Sequence, residues 1–139
     1  MNIAVRYYSR GGNTQKLAEA AAEAVGVTAC DLSVPLDEKV DLLLLGNSLY
    51  AGSFDGAVRR FLTDNAQKIG TLASFGSSAS GRSTYAKLKA LAAELSIPVS
   101  TEYYNCPGSF LFMHRGRPDQ GDLTAVAAFA KRTAERCAK

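Results

Sequence analysis

A strand, a short polar loop and a helix follow one another at the start of the chain, and this order constrains the fold most strongly. Residues 3–8 are mainly β-branched or aromatic, as strands prefer, and helix formers dominate from residue 15 onward. Between them lie hydroxyl side chains and glycines: Ser9, Arg10, Gly11, Gly12, Asn13 and Thr14. Such a loop directs backbone N–H groups outward at a helix N-terminus, so it predicts a phosphate site to which Ser9 and Thr14 add hydroxyl donors.

The composition predicts one domain over residues 1–139, because 47% of the residues are hydrophobic and 21% are charged. No apolar run is long enough to cross a bilayer and no signal peptide is evident, so we expect a cytoplasmic protein. The cysteines fit neither a disulfide framework nor a zinc site, which favours free thiols at Cys30, Cys106 and Cys137. A net charge of +3 without a Lys/Arg cluster does not indicate nucleic-acid binding.

Strand and helix patterns alternate along the rest of the chain. The first helix covers residues 13–25 and ends at Gly26, and further helices are predicted over 53–65, with Ser53 as cap, over 83–95, and after Asp119 or Asp122. Strands are predicted over 27–32, 40–46, 69–75 and 98–106, and the continuous apolar run at 40–46 is typical of a strand buried on both faces. The prediction is an α/β fold with a doubly wound, five-stranded parallel sheet in the order 2-1-3-4-5.

The connection between the second and third strands is too short for a full helix. We therefore expect that helix to be missing or reduced, which leaves one face of the first two strands thinly covered. Arg6 lies in the middle of the first strand, where an unpaired buried charge is costly. We expect its side chain to point to the thin face, with its head in water or paired with Asp37 or Glu38.

Several motifs resemble the flavodoxins, which bind FMN. The run YSRGGNT at residues 8–14 is similar to the flavodoxin phosphate loop, although Gly11 stands where Thr or Ser is commonest. The resemblance extends over the whole chain through the loop GNSLYAG at 46–52 and through Phe75-Gly76 followed by small residues. Residues 108–118 resemble those of a small bacterial flavodoxin-like subfamily.

This resemblance implies a flavodoxin-like fold and a non-covalently bound FMN. Residues 9–14 would hold the phosphate, with Ser9, Asn13 and Thr14 as side-chain donors. Two further loops would flank the isoalloxazine, with Tyr50 able to stack on the ring and the backbone near residues 51–52 bonding to flavin N5. The ring-flanking residues are Asn47, Ser48, Leu49, Tyr50, Ala51, Gly52, Ser77, Ser78, Ala79, Ser80 and Gly81.

Electron transfer would need no catalytic residue from the protein, because FMN carries the chemistry and a redox partner protein exchanges the electrons. Only Asp55 stands near the predicted flavin loops, so repulsion of a reduced, anionic flavin should be weak and the potential less negative than in acidic flavodoxins. The loop around His114, Arg115, Gly116 and Arg117 is either a solvated surface or a site for an acidic partner or anionic substrate.

The chain lacks the residues that other protein classes of this topology require. No aspartate ends the third strand as in response regulators, and no cysteine lies in the first loop as in small tyrosine phosphatases. Walker-type NTPases need a lysine before the Ser/Thr of the loop, but here Asn13 precedes Thr14. Two alternatives to an electron carrier stay open. One is an FMN-dependent reductase, or its subunit, acting on a small substrate, and the other is a non-redox binding module with this fold. We favour reduction by a partner, because the chain has no dinucleotide fingerprint.

Overall fold

The computed structural model describes residues 1–48, 53–78, 82–107 and 116–138. Five parallel strands form one sheet in the order β2-β1-β3-β4-β5, which confirms the predicted α/β topology. A 3-10 turn, Ala66–Lys68, precedes β4. The strands and helices are β1 Ile3–Tyr7, α1 Asn13–Val25, β2 Ala29–Asp31, β3 Val40–Ser48, α2 Gly56–Asn65, β4 Ile69–Ser78, α3 Tyr85–Glu94, β5 Tyr104–Pro107 and α4 Gln120–Cys137.

Helices cover the sheet on both faces. On one face α1 and α4 pack over a core that includes Leu17, Phe75 and Phe129, and on the other α2 and α3 cover a core that includes Leu62 and Leu88. The described part of the chain contains no helix that is both long and apolar enough to span a membrane. The three cysteine thiols are free, as predicted.

The inner strands β3 and β4 are longer, and the edge strands β2 and β5 shorter, than the residue pattern predicts. Residues 47–48 and 76–78, predicted as loop, continue β3 and β4, where Asn47 pairs with Gly76 and Ser48 with Ser77. Pairing with a neighbour on each side overrides the low strand preference of these small polar residues. At the sheet edges, β2 and β5 cover only part of the predicted ranges, and Val99 forms no more than an isolated bridge with Leu72.

Helix ends follow the sequence signal at two places. Gly26 ends α1 in the left-handed conformation at φ 76°, and Asp119 caps α4 in a capping box with Asp122. The start of α2 differs, because the carboxylate of Asp55 rather than the hydroxyl of Ser53 accepts the capping hydrogen bond. A carboxylate at this position also interacts favourably with the positive end of the helix dipole.

The thin face over β1 and β2 is confirmed, because the connection from β2 to β3 contains no helix. Arg6 points to this face but is buried, so the expectation of water or an acidic partner is wrong. Its Nε donates to the Val34 carbonyl at 2.8 Å, and its Nη2 donates to the Pro35 carbonyl at 3.3 Å. An extended connection leaves its carbonyls without helical partners, and the guanidinium supplies the missing donors.

Candidate functional site

The loop between β1 and α1 lies at the carboxyl edge of the sheet, at the position where the winding reverses. Gly12 is the N-cap residue of α1 in the left-handed conformation at φ 90°, and its N–H donates to Ser9 Oγ at 3.0 Å. Since glycine has no side chain, no capping side chain from this residue covers the helix N-terminus. Such an end suits an oxyanion, which is bound by backbone N–H groups and the helix dipole.

Thr14 joins this loop to the ends of two strands. The hydroxyl of Thr14 shares a hydrogen bond with Ser48 Oγ at 2.6 Å and another with Ser77 Oγ at 3.2 Å. Only 1% of Thr14 is exposed, so its hydroxyl lies beneath the loop rather than on the loop's outer side. Three residues that the sequence predicts for the site therefore meet, although they come from α1, β3 and β4.

Two glycines allow the close packing beneath the loop. A Cβ on Gly46 would lie 2.8 Å from the Phe75 ring and 3.0 Å from Thr14 Cγ2. A Cβ on Gly76 would lie 1.7 Å from the carbonyl oxygen of Asn47. Small residues near the ends of β3 and β4 thus allow these strands to pack closely, independently of any ligand.

Asn47 is a structural link between β3, β4 and the start of α3. It is 2% exposed, its Nδ2 donates to Ser74 Oγ at 3.2 Å, and its Oδ1 accepts a hydrogen bond from Thr84 Oγ1. The sequence analysis did not identify Ser74 or Thr84. The only signals for them are that Ser74 is a small polar residue inside an apolar strand and that Thr84 is one directly before a helix. The Asn47 side chain is directed into the protein, so a ligand would meet only its backbone.

The predicted ring-flanking residues are only partly among the described residues. Residues 49–52, which include Tyr50, and residues 79–81 lie outside the described residues. Their flanks are described, and Ser78 Oγ donates to the Arg82 carbonyl at 2.7 Å across the second of these segments. The stacking of Tyr50 and the flavin N5 contact stay predictions.

An ion pair connects the loop after β1 with the start of α2. Arg10 Nη2 lies 2.6 Å from Asp55 Oδ2, while Asp55 Oδ1 accepts from the Ala57 N–H at 2.9 Å. The hydrogen bond from the Ala57 N–H and the contact with the Arg10 guanidinium lower the pKa of Asp55. The carboxylate nearest the predicted flavin loops is therefore ionised, and a cation directly compensates its charge.

A second ion pair holds the start of α4. Arg117 donates from Nε to Asp122 Oδ2 at 2.5 Å and from Nη2 to Oδ1 at 2.7 Å, and Asp122 is 6% exposed. The bidentate contact with Arg117 lowers the pKa of Asp122 despite its burial. Arg117 therefore serves the fold and is not a freely presented charge of the loop at residues 114–117. His114 and Arg115 lie outside the described residues.

Cys106 lies beside this pair at the end of β5. The residue is buried, and burial raises the pKa of its thiol to about 11. A thiol with such a pKa stays protonated near neutral pH and is a poor nucleophile.

Comparison with known proteins found no family model and no curated protein that matches this sequence. Solved structures do match: a flavodoxin from the domain Archaea superimposes with a TM-score of 0.82 at 18% identity, over 100% of both chains. The chain has the flavodoxin fold. Flavodoxin 2 from Bacillus cereus matches the same fold with a TM-score of 0.71 at 18% identity, over 98% of this chain and 99% of that one.

The flavodoxin fold also occurs within a larger neighbour. The Flv1 flavodiiron core from Synechocystis matches with a TM-score of 0.77 at 18% identity, and 99% of this chain corresponds to 36% of that chain. At this level of identity the likeness shows the fold alone, and the function depends on the residues at the carboxyl edge.

Proposed function

We propose that this chain is a flavodoxin-like electron-transfer protein that binds FMN non-covalently and exchanges one or two electrons with a protein partner. The observation that carries this proposal is the glycine N-cap of α1, which leaves a helix N-terminus without a capping side chain at the reversal point of the sheet. A phosphate monoester is the group that such a position suits best.

The described residues fit FMN in a second respect. The phosphate would lie at residues 9–14, and the ring would lie between the segments that follow Ser48 and Ser78. The hydroxyl of Thr14 shares hydrogen bonds with Ser48 and Ser77, and these join the predicted phosphate site to the strands β3 and β4, from which the ring-flanking segments follow. A phosphate loop fixed to both ring-flanking strands would hold FMN at both ends. Bound FMN supplies the redox chemistry, and the protein contributes binding and electrostatics.

The potential of the bound flavin depends on the charges around it. Negative charge near a reduced, anionic flavin makes reduction harder. Here Asp55 is paired with Arg10 at 2.6 Å, so little uncompensated negative charge is near the start of α2. We therefore propose a less negative potential than that of strongly acidic flavodoxins.

A redox titration of the FMN complex tests this proposal. We expect a yellow complex that is reduced at a less negative potential than acidic flavodoxins, and we expect Arg10→Gln to make the potential more negative at saturating FMN, because Asp55 loses its cation. Arg59→Gln is the matched control, since Arg59 pairs instead with Glu94 at 3.8 Å, and it should leave the potential unchanged.

The same titration separates the competing functions. A colourless protein that ignores added FMN would contradict the proposal and support a non-redox binding module. Rapid reduction of the complex by NAD(P)H alone would instead indicate a stand-alone reductase. A potential as low as that of acidic flavodoxins would contradict the electrostatic argument while leaving FMN binding intact.

A further inference from the structure

A cavity of about 750 Å³ lies on the thin face, between the connection that follows β2 and the helix α2. Its apolar and aromatic lining includes Tyr8, Leu32, Pro35 and Phe61. The cavity exists because no helix covers this part of β1 and β2. Its volume falls within the range of about 300–1,000 Å³ that small-molecule sites occupy.

Hydrogen bonds fix the walls of this cavity. The Leu36 N–H donates to Asn65 Oδ1 at 3.1 Å, and Lys68 Nζ donates to the Leu36 carbonyl at 2.8 Å. Asn65 is 4% exposed and uses its Nδ2 to donate to the Phe61 carbonyl at 2.9 Å. The connection is thus attached to the end of α2, and Arg6 attaches it to β1 as well. The cavity is therefore preformed.

Two of the ionic groups that line the cavity already have partners. Asp31 Oδ1 accepts from the Ser33 N–H at 2.7 Å, and Lys68 donates to the Leu36 carbonyl. The side chains of Arg60 and Asp64, one helical turn apart on α2, have no hydrogen bond or ion pair within the described ranges. An arginine four residues before an acid is the less favourable order for pairing along a helix. Two opposite charges are thus available at one rim.

We propose that this cavity binds a small aromatic zwitterion of the amino-acid type. The aromatic ring would lie against Tyr8 and Phe61, the carboxylate would bind Arg60, and the ammonium group would bind Asp64. The charges of the lining balance, since Arg60 and Lys68 face Asp31 and Asp64, so a simple anion or a simple cation would be both attracted and repelled. A ligand that carries both charges satisfies both groups at once.

The proposed site adjoins the predicted phosphate loop, because Ser9 and Gln15 also line the cavity. The groups that would bind the ring and the two charges, Phe61, Arg60 and Asp64, lie on α2, whereas the phosphate loop leads into α1 and the ring-flanking segments follow β3 and β4. Titration of the chain without FMN therefore measures binding of the zwitterion alone, and failure of one proposal does not imply failure of the other.

The test is an NMR titration of the ¹⁵N-labelled full chain with L-tryptophan, indole-3-propionate and tryptamine. These probes share an indole ring, but the second lacks the ammonium group and the third lacks the carboxylate. We expect L-tryptophan to bind about tenfold more tightly than either analogue, since each analogue loses one charge-assisted contact. The amide signals of Tyr8 and Asp64 should move during the titration.

Substitutions on α2 test which charged group of the ligand Arg60 and Asp64 each bind. Arg60→Gln should reduce the affinity for L-tryptophan to that for tryptamine, and Asp64→Asn should reduce it to that for indole-3-propionate. Arg59→Gln, on the same helix but not lining the cavity, should change nothing. Thermal unfolding of each variant checks that the fold is intact. Equal affinities for the three probes, signal changes elsewhere, or an equal loss in Arg59→Gln would overturn the proposal.

Discussion

Gly76→Ala is expected to lower the free energy of unfolding by about 3 kcal/mol, because the added methyl group overlaps the backbone of the neighbouring strand. The new Cβ would lie 1.7 Å from the carbonyl oxygen of Asn47 and 2.9 Å from its carbonyl carbon. Because these atoms belong to the backbone of the paired strand, no change of rotamer can relieve the overlap. The strands β3 and β4 would have to separate where Asn47 also contacts Ser74 and Thr84.

Urea unfolding followed by circular dichroism measures this effect. Gly56→Ala is the matched control, because Gly56 begins α2 and a Cβ there would meet nothing within 4 Å. Alanine favours helices more than glycine does, so the control should be as stable as the original chain or slightly more so. An unchanged unfolding midpoint for Gly76→Ala would show that the two strands are not packed as described.

Gly12→Ala is expected to weaken FMN binding about tenfold, because the loop has to move away from the geometry that suits the phosphate. Gly12 has φ 90°, a conformation that costs an L-residue about 1–2 kcal/mol. An alanine would relieve this strain by changing the direction of the Gly12 N–H, which now donates to Ser9 Oγ. Fluorescence quenching of FMN gives the affinity.

The opposite end of the same helix provides the control for Gly12→Ala. Gly26 has φ 76°, and a Cβ there, as at Gly12, would meet nothing within 4 Å. Gly26→Ala should therefore cost similar stability while leaving the FMN affinity unchanged. If both variants lost affinity equally, the effect would come from a less stable helix rather than from the phosphate loop.

The sequence predicted the elements whose signals are local. The range 13–25 for α1 and its end at Gly26 follow from helix formers between glycines, and the strand order follows from the alternation of strands with helices. The thin face follows from the length of one connection. Each of these features depends on residues that are close together in the chain, and local patterns report such features well.

The features that the sequence did not predict depend on distant residues. Asn47 bonds to Ser74 and Thr84, which are 27 and 37 residues away, and no local pattern indicates that its amide points inward. The same holds for Arg6, whose partners Val34 and Pro35 are 28 and 29 residues away. Hydrogen-bond partners across a sheet are set by the folded structure, so the residue pattern gave the face of Arg6 but not its partners.

Calorimetric titration with FMN and with riboflavin tests the central claim most directly. The two molecules share the isoalloxazine ring and differ in the phosphate, which is the group that the N-terminus of α1 is proposed to bind. The account predicts that FMN binds about a hundredfold more tightly than riboflavin. Equal affinities for the two molecules, or no heat of binding with either, would contradict it.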